Sequence, residues 1–146
     1  MSKLGDALTL RLAKPEEHEQ LEELQRRASL ELPEYRAQLL ANPDAIHLPP
    51  AQISNGQVIV AEFDAVVVGF AAVVGGELDG LFVEPDLWGR GIGRDLIDAA
   101  TLEARRRGLA LTVIANPSAR RFYESCGFSV EGEAQTRFGP ALRMSK

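Results

Sequence analysis

The residues best spaced to do chemistry lie between Leu81 and Leu96, in LFVEPDLWGRGIGRDL. An apolar, strand-like run (Leu81, Phe82, Val83) leads into a turn with Gly89, Gly91 and Gly93, and the last of these opens an amphipathic helix. Without a Cβ, the glycines let the backbone approach an anion closely. The first helical turn adds unpaired N–H donors and the positive end of the helix dipole, an arrangement that suits a pyrophosphate. Arg90 and Arg94 supply charge beside it.

Spacing narrows the kind of phosphate loop. An ATPase-type P-loop needs Lys and then Ser or Thr after its last glycine, whereas Gly93 is followed by Arg94 and Asp95. A dinucleotide fingerprint wants G-x-G-x-x-G and a carboxylate about 20 residues on. Here the glycines run G-x-G-x-G, and the region Leu111 to Ile114 offers no carboxylate.

The pattern resembles the GNAT superfamily of acyl-CoA-dependent N-acyltransferases, whose hallmark is a strand ending in V-x-P, a short turn, then Q/R-x-x-G-x-G/A opening a helix. The chain reads Val83-Glu84-Pro85 and Trp88-Gly89-Arg90-Gly91-Ile92-Gly93, with Trp88 where Gln or Arg is usual. In that family the pyrophosphate is held mainly by backbone N–H groups, so the departure bears on side-chain detail more than on binding. A second block, NPSARRFYESCGF from Asn116 to Phe128, is similar to the family's N-x-x-A-x-x-F-Y-x-x-x-G-F segment. In it the Asn contacts the pantetheine arm and the Tyr lies near the thioester sulfur. The resemblance implies an α/β layered fold, with a mixed central sheet of about six to seven strands flanked by about four helices. It also implies acetyl-CoA as co-substrate and an amine as acceptor, with a cofactor site formed by Leu81, Phe82, Val83, Trp88, Gly89, Arg90, Gly91, Ile92, Gly93, Arg94, Asn116 and Tyr123. Homodimers are common in the family.

Acyl transfer from a thioester to an amine needs a neutral nucleophile, a stabilised oxyanion and a proton for the departing thiolate. An alkylamine of pKa roughly 10.4 is under about 0.1% neutral at pH 7, a penalty of roughly 4 to 5 kcal/mol. Glu77, at the start of the strand that leads into the glycine turn, resembles the family's frequent base. Asp79, two residues on and on the same strand face, is its rival, with water or a residue of the region Asn42 to Gly56 as the remaining alternative. Tyr123 is the expected proton donor to the thiolate, since a phenol of pKa roughly 10 stays protonated beside a thiol near 8.5. A backbone N–H at Val83 would meet the oxyanion. Packing alone is the competing account of Tyr123, and a helix N-cap that of Asn116. A degenerate acyl-CoA-binding sensor and a nucleotide-binding domain are the alternative functions.

The remaining reactive residues read as structural. Cys126 is the only cysteine, so no disulfide or cysteine-based zinc site is expected. His18 and His47 read as solitary surface histidines, with no metal. Arg120 and Arg121 read as solvated. With 146 residues, 45% of them apolar, the chain is expected to form one domain. A net charge of −5 and no basic stripe argue against nucleic acid. The absence of an apolar h-region or a membrane-length run points to a cytoplasmic protein without a membrane partner.

These residues need a frame to hold them. Periodicity and breakers predict a strand over Leu8 to Leu12, then a helix from Pro15 to about Ser29. A short helix over Glu34 to Ala41 follows, with Tyr35, Leu39 and Leu40 inward, and then an irregular loop over Asn42 to Gly56. Three strands joined by tight hairpins should cover Gln57 to Phe63, Val66 to Val74 and Glu77 to Val83. A helix over Gly91 to Arg107 should bury Ile92, Leu96, Ala99, Ala100 and Ala104 and turn Arg94, Asp98, Thr101 and Arg105 outward. Glu103 falls inside the apolar face without an explanation. A buried strand over Leu109 to Ala115, parallel to the Glu77 strand, should precede the helix begun by Asn116-Pro117. Phe128 to Glu133 and Thr136 to Met144 complete the sheet, with a break at Gly139-Pro140. The resemblance to the GNAT superfamily further implies an acceptor pocket shaped by the regions Leu30 to Asn55 and Thr136 to Leu142, and the acceptor itself is open.

Overall fold

A computed structural model describes residues 8–146 of the chain. Its strands are β1 (Leu8–Leu12), β2 (Val58–Phe63), β3 (Val66–Val74), β4 (Glu77–Val83), β5 (Thr112–Ala115), β6 (Ser129–Thr136) and β7 (Gly139–Ser145). Its helices are α1 (His18–Leu30), α2 (Pro33–Ala41), α3 (Pro50–Ser54), α4 (Ile92–Arg106) and α5 (Arg120–Ser125), with short 3₁₀ turns between several elements. The strands form one sheet in the order β1-β2-β3-β4-β5-β7-β6. Only β4 and β5 run parallel, as expected for two strands joined by a helix. The expected mixed sheet is therefore present, with five helices rather than about four.

β3 explains how the sheet is held. Its seven central residues are all buried, because both faces are covered. Val68, Ala71 and Val73 pack in a cluster with Leu96, Ile97, Ala100 and Ala104 of α4. Val67, Phe70 and Ala72 pack with Leu21 and Leu24 of α1 and with Ile53 of α3. An apolar run on both faces is what a strand buried between two helical layers requires. The sheet thus separates an α4 face from an α1–α3 face.

Several expectations need correction. The region 42–56 is not merely a loop: it contains a 3₁₀ turn at Pro43–Ala45 and the helix α3. Pro50 sits at the start of α3, where its missing N–H is no loss, and Ile53 anchors the helix in the core. Leu40 points outward at 60% exposure, while Leu39 is the buried residue of α2. Thr101 is buried rather than outward, and its hydroxyl is satisfied by donating 2.7 Å back to the Ile97 carbonyl. Glu103 stands at the margin of the apolar face and pairs with Arg107 at 3.3 Å and Arg106 at 3.8 Å. Gly139-Pro140 does not break the last strand; β7 begins there. β7 is paired with β5 only as far as Leu142, so Pro140 lies where the strand has β6 as its sole neighbour.

Candidate active site

The site is organised by β4. Its pairing with β5 consists of Glu77 with Thr112 and Leu78 with Val113, and then stops, although both strands continue. Beyond that point the sheet splits. On the other side, the register with β3 shifts so that Leu78 faces Val73 and Gly80 faces Ala72. Asp79 is consequently the one residue of β4 with no register partner in either neighbouring strand. This bulge puts the Asp79 carboxylate at the apex of the split, exposed, with Oδ2 accepting a 3.0 Å bond from Gln52 Nε2 on α3. Glu77 is also exposed but lies at the closed end, paired on both sides.

At the far end of β4 the chain passes through a 3₁₀ turn (Pro85–Leu87) into the glycines. Gly89 and Gly91 take φ of +80° and +87°, and a Cβ on either would meet only open space. Gly91 is the N-cap of α4 and no side chain caps the helix. The first-turn N–H groups of this 15-residue helix therefore face outward without a side-chain acceptor. Gly93 serves a different purpose. A Cβ there would stand 3.2 Å from the Phe122 ring, so the third glycine lets α5 approach α4. Trp88 donates through Nε1 to the Val83 carbonyl at 2.8 Å, tying the loop back to the end of β4. Ile92 is buried beneath the helix start, and Leu81 and Val83 belong to the α4-side core. Phe82 turns to the other face, against Phe70.

The two arginines part company. Arg90 is exposed beside the cradle. Arg94 instead donates to the Ser125 carbonyl at 2.9 Å and to Ser125 Oγ at 3.0 Å, so its guanidinium is committed to the end of α5.

Asn116 and Tyr123 stand on the β5 side of the split. Asn116 Oδ1 accepts from the Ser118 N–H at 3.1 Å, which makes it an N-cap. Its Nδ2 donates to Glu34 Oε1 at 3.1 Å, and Ser118 Oγ donates to the same oxygen at 3.0 Å. Glu34 is held below the usual carboxylate range by its own backbone amide and then by these two donors. It was not anticipated from the sequence, and neither was Gln52. Tyr123 is half-buried, with its ring edge-on to Phe122 and Phe128 at 5.2 and 5.3 Å. Burial pushes its phenol up to about 12, so it is a neutral O–H at physiological pH.

The two stretches expected to wall the acceptor pocket do meet. Arg137, in the β6–β7 turn, donates to Asp44 at 3.1 Å and to Asn42 at 3.0 Å, and the Phe138 ring lies 6.5 Å from Tyr35. A cavity of about 640 Å³ opens at the end of β4, lined by Arg27, Glu31, Val68 and Glu84 to Leu87. It holds none of Asp79, Asn116 or Tyr123. His18 and His47 are not solitary: their rings lie 3.6 and 3.2 Å from Glu22, which also accepts the Leu48 N–H. Among the described residues no group of three or more His, Cys, Asp or Glu could hold a metal ion. No helix of the described residues is long and apolar enough to cross a membrane.

A split central sheet thus leads from the end of its middle strand into an uncapped, glycine-lined helix N-terminus, a geometry suited to an anion. The chain belongs to the GNAT acetyltransferase family: the family model described as "Acetyltransferase (GNAT) domain" matches residues 54–130, just over half of the chain. It is similar to the peptidyl-lysine N-acetyltransferase YjaB of Salmonella typhimurium, with 39% identity over 69 residues. That match covers 47% of this chain and 46% of the relative, so the chain spans about half the length of the curated protein it matches. It is also similar to the crystal structure of a GCN5-related N-acetyltransferase, "Aminotransferase, Class-II", from Rhodopseudomonas palustris. The identity there is 28%, with 94% of both chains covered and a TM-score of 0.77. The PaiA N-acetyltransferase of Thermoplasma acidophilum, solved with coenzyme A, shares the fold at 21% identity and a TM-score of 0.72, covering 95% and 98% of the two chains.

Proposed function

We propose that the protein transfers the acetyl group of acetyl-CoA directly to a primary amine, and that the amine is a lysine side chain of a peptide or protein. One observation carries this reading. The strand that ends at the uncapped cradle of Gly89, Gly91 and α4 is the same strand that lifts Asp79, unpaired, to the apex of the split. An anion site and a basic carboxylate are thus fixed at two ends of one rigid element. The name of the YjaB relative supports the lysine acceptor, and the coenzyme A in the PaiA structure supports the cofactor.

In this mechanism the amides of the cradle hold the pyrophosphate, with Arg90 beside them. Asp79 faces α3 and takes the proton from the attacking amine, which would otherwise be almost wholly protonated at neutral pH. Asp79 is preferred to Glu77 because it alone is freed from both neighbouring strands. As the new C–N bond forms and the C–S bond breaks, Tyr123 donates its proton to the departing sulfur. Its raised pKa keeps that proton available.

Calorimetric titration with acetyl-CoA, with ATP and NAD as controls, tests the cofactor, and transfer to poly-L-lysine tests the acceptor. Micromolar binding of acetyl-CoA alone, followed by lysine acetylation, is expected. Failure to bind acetyl-CoA overturns the enzyme reading; binding with transfer to small polyamines but not to polylysine overturns the acceptor.

A further inference from the structure

We infer that Gln52 is a positioning residue for this reaction, fixing the Asp79 carboxylate at the apex of the split so that one oxygen stays free for the acceptor amine. The inference rests on the reading of Asp79 as the group that takes the proton.

Asp79 has no register partner in β3 or β5, and its side chain is exposed. Gln52 supplies the restraint through the 3.0 Å bond from Nε2 to Oδ2. An ionised carboxylate only accepts hydrogen bonds, so the glutamine must present its nitrogen to Asp79 and turn its oxygen away. That oxygen, Gln52 Oε1, is buried and has no hydrogen-bond partner within the protein; no other buried side-chain N or O among the described residues is left so. An unsatisfied buried acceptor is unfavourable, and an apolar side chain of the same shape would avoid the penalty. A purely structural role therefore favours methionine at position 52. The amide makes sense only if the bond to Asp79 is what is needed.

The anchor is rigid. The Gln52 N–H donates to the Pro49 carbonyl at 3.0 Å, and its carbonyl accepts from the Gln57 N–H at 2.9 Å. Ile53, next along, is buried in the core. With Oδ2 tied to this fixed point, Oδ1 remains for the amine.

The test uses the full chain and the near-isosteric Gln52→Met. Its melting temperature should equal or exceed that of the wild type, because the orphaned oxygen is gone. Its acetyl-CoA affinity should be unchanged. With poly-L-lysine as acceptor, kcat should fall roughly tenfold while KM for acetyl-CoA stays constant. In an Asp79→Asn background the same substitution should have no further effect, since there is no carboxylate left to position. Wild-type kcat in Gln52→Met, or effects that multiply in the double variant, would overturn the inference. If the wild type acetylates no polylysine, the proposed acceptor fails by itself. The inference is then read from the Asp79 carboxyl ¹³C resonance at pH 7: Gln52→Met should move it, and an unmoved resonance would overturn the positioning role.

Discussion

The two halves of the candidate site are built on different principles. The cofactor half, from Glu84 to Arg94 with the segment 116–128, relies on backbone: positive φ at Gly89 and Gly91, an uncapped helix start, and a third glycine that makes room for Phe122. The proposed acceptor half, from α2 and α3 to the β6–β7 turn, relies on side chains that meet across long stretches of sequence, such as Arg137 with Asp44, and it touches the other half where Glu34 accepts from Asn116. Backbone amides present the same donors whatever the side chains beside them, so the proposed cofactor half should tolerate side-chain change. Side-chain recognition does not, so the proposed acceptor half is the part whose substitution should change the choice of amine.

Substitutions in the two halves should therefore affect different parameters. The largest effect is expected for Gly91→Glu, which puts a charged side chain in the cradle. Acetyl-CoA affinity should fall by roughly 100-fold or more, about 3 kcal/mol, by calorimetry. Gly91→Ala, which shares the backbone strain at φ +87° but adds no charge, should lose far less. Next comes Tyr123→Phe, which should lower kcat by roughly 100-fold and leave acetyl-CoA binding intact; an unaffected rate would return Tyr123 to a packing role. In the acceptor half, Arg137→Ala releases the hairpin from Asp44 and Asn42. It should raise the acceptor KM roughly two- to tenfold without changing acetyl-CoA affinity, and a weakened cofactor affinity would break the division.

The smallest effect lies outside both halves. Glu17 accepts two bonds from Arg11, at 2.9 and 2.7 Å, and one from the Lys14 N–H at 2.8 Å. The Arg11 bonds chiefly, and the Lys14 amide after them, hold its carboxyl below the ordinary range. Its stabilisation is therefore present above the unfolded value of roughly 4.3 and is lost as pH falls through the lower folded value. Glu17→Gln should cost about 1 kcal/mol in urea unfolding at pH 7 and progressively less as pH falls through the folded value, while acetyl-CoA binding stays unchanged at pH 7.

The same contrast explains what could be read from the sequence. β1, the β2–β4 meander, α4 and the β4–β5 crossover follow from alternation, helical period and glycine breaks, all of them local. The glycine turn was legible for the same reason, since Gly89, Gly91 and Gly93 stand at alternate positions of one short stretch. Arg94 was not, because nothing local tells that its guanidinium will reach Ser125 rather than an anion. Glu34 and Gln52 were invisible because their partners lie 82 and 27 positions away. What sets Asp79 apart from Glu77 is the bulge, which no alternation pattern reveals. Thr101 misled because its hydroxyl is satisfied inside its own helix.

Gly80, beside Asp79 in the bulge, carries a consequence for variation over evolutionary time. A Cβ at position 80 would come within 2.8 Å of the Phe82 ring, which rests on Phe70 at 5.3 Å. Among descendants of this chain, a side chain at 80 should arise only together with a smaller or turned residue at 82, so the two positions should drift as a pair.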